Sequence, residues 1–196
     1  MHFVEADDVL QSRLERFQGA AERLFEQLDR AEVEVVLRVS AAARALRVTW
    51  LACAVTRLGN GALYPVLALL LIATRRVESP ERFLVVTSAN LVVTFTIYPL
   101  LKYALARTRP CDYEPELARH AKPLDHYSCP SGHTMTAVAF GVTVMFAWPD
   151  GASLAIPLCV VMGWSRVALG HHYPTDVLAG GAIGAAVAAP LAAFAY

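Results

Sequence analysis

From residue 61 to the C-terminus the chain is a series of apolar runs separated by short polar turns and one longer polar loop, Arg107–Ser128, and this pattern limits the fold more than any other feature. The runs cover about Ala62–Ala73, Phe83–Leu101, His133–Trp148, Ser153–Ala168 and Val177–Tyr196. Backbone in lipid must satisfy its own hydrogen bonds, and a helix needs roughly 20 apolar residues to cross the hydrocarbon. Several runs are shorter than that, which suits a compact bundle in which some helices meet protein or a water-filled cavity. The sequence therefore predicts an all-α fold: an integral-membrane helical bundle of about five spans with an N-terminal amphipathic helix. A soluble all-α protein is the alternative, against which stand 56% hydrophobic residues and a mean hydropathy of +0.44. In the last run Gly180 and Gly184 stand at small-xxx-small spacing, which permits close helix contact.

Residues 1–57 read differently. Between Val9 and Val39 there is no proline and a single glycine, and charges alternate in sign. Leu10, Leu14, Phe17, Ala21, Leu24, Leu28, Ala31 and Val35 fall at heptad spacing and form one seam of a helix. Three uses of that helix stay open: packing on its own bundle, lying in the membrane interface, or pairing as a homodimer. Val48–Val55 is apolar but too closely flanked by Arg44, Arg47 and Arg57 to span, so it reads as an interfacial approach with Trp50 at headgroup level. Gly59-Asn60-Gly61 then breaks the chain. The division expected is a charged helical arm with its interfacial segment, 1–57, and a membrane-embedded domain, 58–196. The N-terminus has neither the basic nor the apolar region of a secretory signal. A formal net charge of zero gives no whole-protein field for nucleic acid.

Five crossings place three polar clusters on one side of the membrane. Lys102, Arg107 and Arg109 follow the second run; Ser131 and His133 open the third; Ser165, Arg166, His171, His172 and Asp176 join the fourth to the fifth. Ionisable groups at membrane depth are expensive and mark functional sites. Lys102, Arg109 and Arg166 are cationic donors, and the arginine fork matches an oxyanion two oxygens at a time. Pro130-Ser131-Gly132-His133 reads as a helix N-terminus, where a capping serine and backbone N–H groups can hold a phosphate. Asp176 stands four residues after His172, on one face if both are helical, where it would fix the imidazole tautomer. That makes His172 the nucleophile candidate and leaves His133 as the acid. A metal is not expected: the zinc spacings and H-E-x-x-H are absent, and the cationic neighbours would repel a cation.

These residues resemble the type-2 phosphatidic acid phosphatase superfamily. Lys102 through Arg109-Pro110, Pro130 to His133, and Ser165-Arg166 with His172 and Asp176 match its three motifs in residue, spacing and order. The resemblance covers about 58–190 and implies a membrane lipid phosphatase that needs no metal or other cofactor. It implies that His172 forms a phosphohistidine, that Asp176 orients it, and that His133 protonates the leaving oxygen. Lys102, Arg109, Ser131, Gly132 and Arg166 would hold the phosphoryl oxygens. Phosphatidic acid, phosphatidylglycerol phosphate and polyprenyl (di)phosphates are all compatible substrates. The setting implied is multi-pass in the plasma (inner) membrane. Two other functions share these features: a non-catalytic phospholipid-binding scaffold and a vanadate-dependent haloperoxidase. Arg107, His171, Tyr173 and Asp112 are not motif positions; structural roles are expected for them before roles at the rim of the site.

The side that the site faces is left open by opposing signals. An Arg-rich arm on the site's side favours the cytoplasm, whereas Arg75, Arg76 and Arg82 lie in the opposite loop. A disulfide between Cys111 and Cys129 would staple the polar loop and require an oxidising face. Cys53 and Cys159 lie in apolar segments as packing residues.

Overall fold

The computed structural model describes residues 2–114, 116–117 and 121–196, with side chains from Gln11 onward. The side chain of Leu10 in the expected seam, and Pro115 in the polar loop, fall outside the described residues. Among the described residues the elements are all helical: α1 (His2–Ala45), α2 (Thr49–Leu58), α3 (Leu63–Ala73), α4 (Pro80–Leu105), α5 (Pro110–Tyr113), α6 (Gly132–Ala147), α7 (Ala152–Ala168) and α8 (Pro174–Ala195).

Local sequence explains the ends. Pro80 and Pro174 occupy the first turns of α4 and α8, where a missing N–H costs nothing. Ser131 caps α6 in extended conformation and accepts from Thr134 N. Gly170, at φ +68°, turns the chain out of α7 in a conformation that suits glycine. α4 and α8, of 26 and 22 residues, are long and apolar enough to cross a membrane. α2 and α3 pass that test only as one pair bent by 77°, and α6 and α7 are apolar but shorter. The expected first span, Ala62–Ala73, is therefore half of a broken element. The Gly-Asn-Gly break divides its hydrogen-bonded ladder.

α6 is the central helix and packs on α4, α7 and α8. Tyr64 of α3, Phe83 of α4, Phe140 of α6 and Met162 of α7 meet in the main core, with the Tyr64 and Phe140 ring centroids 5.5 Å apart. The close α6–α8 approach depends on the two glycines picked out by spacing. A Cβ on Gly180 would lie 2.5 Å from the Ser131 carbonyl oxygen, and one on Gly184 would strike that of Met135. Gly180→Ala is expected to destabilise the protein by about 1–3 kcal/mol, seen as a lower thermal midpoint in detergent. Gly181→Ala is the control, since its nearest neighbour would be 3.7 Å away and no change is expected.

α1 packs on the bundle, but not through the expected seam. Glu32, Val36, Ser40 and Ala43 are buried, while Leu14, Phe17, Leu24 and Val35 are exposed. The packed face is turned by one residue, about 100° around the helix. Polar residues lie on it because the bundle supplies them with partners, described below.

Candidate active site

Three sets of hydrogen bonds bring the separated motifs together. Ser128 N donates to Arg107 O at 2.8 Å, and Lys102 Nζ to Tyr127 O at 2.7 Å, which returns the long loop to the end of α4. Cys111 N donates to Gly170 O at 3.0 Å, and Arg109 Nη1 to His171 O at 2.5 Å. Ser131 N donates to Asp176 O at 3.0 Å. The C-terminal ends of α4 and α7 thus meet the N-terminal ends of α6 and α8.

At this meeting point is a cavity of about 70 Å³, lined by Lys102, Arg109, Gly132, His133 and Arg166. At about 30 Å³ per water that volume is room for roughly two waters, the scale of a phosphoryl group and not of a whole lipid. Ser131, His172 and Asp176 stand behind the wall, each no more than 1% exposed. The Ser131 hydroxyl faces that of Thr134 at 3.0 Å.

The cations already hold an anion. Asp125 Oδ1 accepts from Lys102 Nζ at 2.7 Å and from Arg109 Nη2, and Arg109 Nε donates to its carbonyl at 3.0 Å. Burial alone would raise the Asp125 carboxyl, but Lys102 and Arg109 outweigh it and hold it below its ordinary value. Arg166 Nη1 donates to Thr56 Oγ1 at 3.1 Å, while its buried Nε has no partner among the described residues.

His172 is neutral. Burial, with Arg109, Arg166 and Lys102 adding to it, pushes the imidazole well below its ordinary value. Its Nε2 lies 3.3 Å from Arg109 Nη1, and an arginine can only donate. Nε2 therefore presents its lone pair and Nδ1 carries the proton. Nδ1 points toward Asp176 Oδ2 at 3.7 Å, longer than a hydrogen bond. The two residues do not share a helical face, because Pro174 starts α8 after His172. Their four-residue spacing spans the helix entrance instead.

His133 Nε2 lies 2.7 Å from Asn60 Oδ1. A Cβ on Gly59 would be 3.0 Å from the His133 ring, so the break between α2 and α3 forms one wall of the site. His171 Nε2 meets the Ala121 carbonyl at 2.9 Å and so ties down the loop. Cys111 and Cys129 are free thiols rather than a disulfide. Burial and the nearby Asp176 push the Cys129 thiol up to about 12, which keeps it protonated.

Asp125, Asn60 and Thr56 are the neighbours that sequence reasoning missed. None has a fixed spacing to a motif. The one signal available was polarity: Asn60 within a glycine-rich break, and Asp125 in a loop otherwise facing cations.

Fold and site define a helical membrane protein with a buried cluster of cations beside His133 and His172. A match to the PAP2 superfamily over residues 82–196 places the chain in that family, to which it belongs. It is 34% identical over 122 residues to an undecaprenyl-diphosphatase of Sulfolobus acidocaldarius, covering 61% of this chain and 57% of that one. It is 36% identical over 90 residues to a lipid A 1-phosphatase of Rhizobium johnstonii, covering 44% and 37%. The chain thus spans little more than half of the first relative's length and about a third of the second's. Its fold matches the crystal structure of the first transmembrane PAP2 type phosphatidylglycerolphosphate phosphatase from Bacillus subtilis, with TM-score 0.60, 22% identity and coverage of 90% and 94%. With its long apolar helices, the chain is a multi-pass membrane protein.

Proposed function

We propose that the protein is a metal-independent lipid phosphatase that removes phosphate from a phosphomonoester or diphosphate of a membrane lipid. The observation that carries this reading is the convergence of Lys102 and Arg109 on one carboxylate, Asp125, while the same Arg109 guanidinium lies 3.3 Å from His172 Nε2. The Oδ1 atom there stands where the reading puts a phosphoryl oxygen. Relatives of this chain named for polyprenyl diphosphate and lipid A phosphates support a lipid substrate.

In this mechanism Lys102, Arg109, Arg166 and the N–H groups at Gly132 hold the phosphoryl oxygens as charge shifts in the transition state. Ser131 caps the helix end that presents those N–H groups. His172 Nε2 attacks phosphorus, the P–O bond to the lipid breaks, and His133 gives its proton to the leaving oxygen. Asp176 steadies the Nδ1 proton of the phosphohistidine. His133 then takes a proton from water as the water oxygen attacks phosphorus, the P–N bond breaks, and phosphate leaves. Phe95, Tyr98 and Leu124 line the cavity beside the cations, a suitable border for a lipid stem.

The reading also gives five crossings, α3, α4, α6, α7 and α8, with α2 as the interfacial approach to α3. Residues 58–196 form the phosphatase domain in the plasma (inner) membrane, and 1–57 the arm on the site's side. The test is phosphate release by purified protein from phosphatidic acid, phosphatidylglycerol phosphate and undecaprenyl diphosphate. Release from at least one is expected; binding of all three without release would identify a lipid-binding scaffold instead.

Entry of substrate has to displace Asp125 from Lys102 and Arg109. Asp125→Asn is therefore expected to lower the inhibition constant of inorganic phosphate by about fivefold, the equivalent of roughly 1 kcal/mol for a partly exposed ion pair. A weaker inhibition by phosphate would show that Asp125 supports the anion site rather than filling it.

A further inference from the structure

Arg107 is 2% exposed, and its guanidinium bonds to three carboxylates from two parts of the chain. Nε and Nη2 donate to Asp29 Oδ1 at 2.9 and 2.7 Å, and Nη2 to Glu32 Oε2 at 2.8 Å. Nη1 donates to Asp176 Oδ1 and to Thr175 Oγ1, each at 2.7 Å. Glu32 also accepts from Thr175 N at 2.8 Å and from Thr175 Oγ1 at 2.6 Å. The guanidinium is sandwiched, its Cζ 4.1 Å from the Tyr173 ring centroid and 4.8 Å from that of Phe25. Burial by itself would lower this arginine, but Asp176, Glu32 and Asp29 outweigh it and raise it above its ordinary value. It is a fixed cation.

This web determines how Asp176 can sit. Arg107 holds Oδ1, and Tyr173 N donates to Oδ2 at 2.8 Å, so the carboxylate cannot rotate and Oδ2 stays toward His172. Removing the cation would leave Asp176 buried beside Glu32 with no compensating charge, a costly arrangement relieved by protonation or displacement. A lysine cannot replace the fork, because a point charge does not span three carboxylates. Asp29 and Glu32 are in turn what hold Arg107, and both belong to α1. Their spacing matches the packed face of that helix, which is why an ion-pairing face displaced the apolar seam.

We infer that Arg107, clamped by Asp29 and Glu32, is the positioning residue for the Asp176–His172 pair, which makes the N-terminal helix a working part of the active site. This rests on the reading above that His172 is the nucleophile and Asp176 its orienting carboxylate. The effect belongs to the transition state, where the imidazole becomes charged, and not to ground-state binding of phosphate at Lys102, Arg109 and Arg166.

The test uses the full chain, purified in detergent, and the lipid phosphate that the parent hydrolyses fastest. Arg107→Lys and Glu32→Gln are compared with the parent for kcat, KM, and inhibition by orthovanadate and by inorganic phosphate. The expected result is a kcat lower by about 10- to 100-fold, the range for a partner that orients a reacting group, with KM within about twofold. The vanadate inhibition constant should rise by a similar factor while that of phosphate stays level, since vanadate mimics the bonded transition state. Glu32→Gln keeps the side-chain shape and covers the case in which Arg107→Lys does not fold. Unchanged kcat in either folded variant overturns the inference, as does a loss of vanadate and phosphate affinity in step. A parent with no activity on any lipid phosphate, or a His172→Ala variant with full activity, overturns the underlying reading instead.

Discussion

His172→Ala is expected to lower phosphate release by at least about 10³-fold while leaving the protein folded and phosphate still able to bind. The cations proposed to hold the anion keep most of their bonds without the imidazole: Lys102 is fixed by Asp125 and Tyr127, and Arg109 by Asp125 and His171 O. The variant removes the lone pair behind the wall and none of the side chains that line the cavity. His172 is buried with no bond holding Nδ1 among the described residues, so its loss leaves a small cavity but few broken contacts. Phosphate release from the leading lipid substrate, with gel filtration as the folding control, measures it. Activity within about tenfold of the parent would remove His172 from the reacting atoms.

Arg109→Lys is expected to lower kcat/KM by about 10²-fold, although charge is conserved. Arg109 performs three tasks with one planar group. It holds the Asp125 carboxylate where the phosphoryl oxygens are proposed to lie, donates to His171 O at 2.5 Å, and faces His172 Nε2 at 3.3 Å. The last contact leaves Nε2 unprotonated, so in the proposed mechanism the same residue binds the anion and selects the nucleophilic tautomer. A lysine ammonium can serve one of these positions at a time. The measurement is steady-state kcat and KM with one lipid phosphate. A kcat/KM within about threefold of the parent would place the oxyanion elsewhere.

Much of the site was legible because its residue types are out of place in apolar sequence. Lys102, Arg109, Arg166 and the histidines interrupt runs that otherwise follow hydropathy, and their spacing carried the family resemblance that the PAP2 match supports. Gly180 and Gly184 were legible for a similar reason, since close backbone approach needs small residues at a fixed interval. The arm was not. Its apolar seam left packing, interfacial lying and pairing open, and in the fold Leu14, Phe17 and Leu24 are exposed while Glu32 is buried. A heptad records where apolar side chains lie, and the docking of α1 is decided by two carboxylates meeting Arg107, a partner 75 residues or more away in sequence. Asn60 and Asp125 escaped notice on the same ground. Each acquires its position from a tertiary contact, with His133 and Lys102 respectively, that no local period encodes. The bent α2–α3 element lay between the two cases. Its break was visible as Gly59-Asn60-Gly61, but nothing in the sequence indicated that the break would form a wall of the site.

The central claim is that the three motifs assemble one phosphoryl-transfer site with His172 as nucleophile. Rapid quenching of the full-length protein during turnover of a ³²P-labelled lipid phosphate tests it most directly. The account predicts acid-labile, alkali-stable label on the protein, mapped to His172 and absent from His172→Ala. Label on another residue, or turnover by His172→Ala at the parent rate, would contradict it.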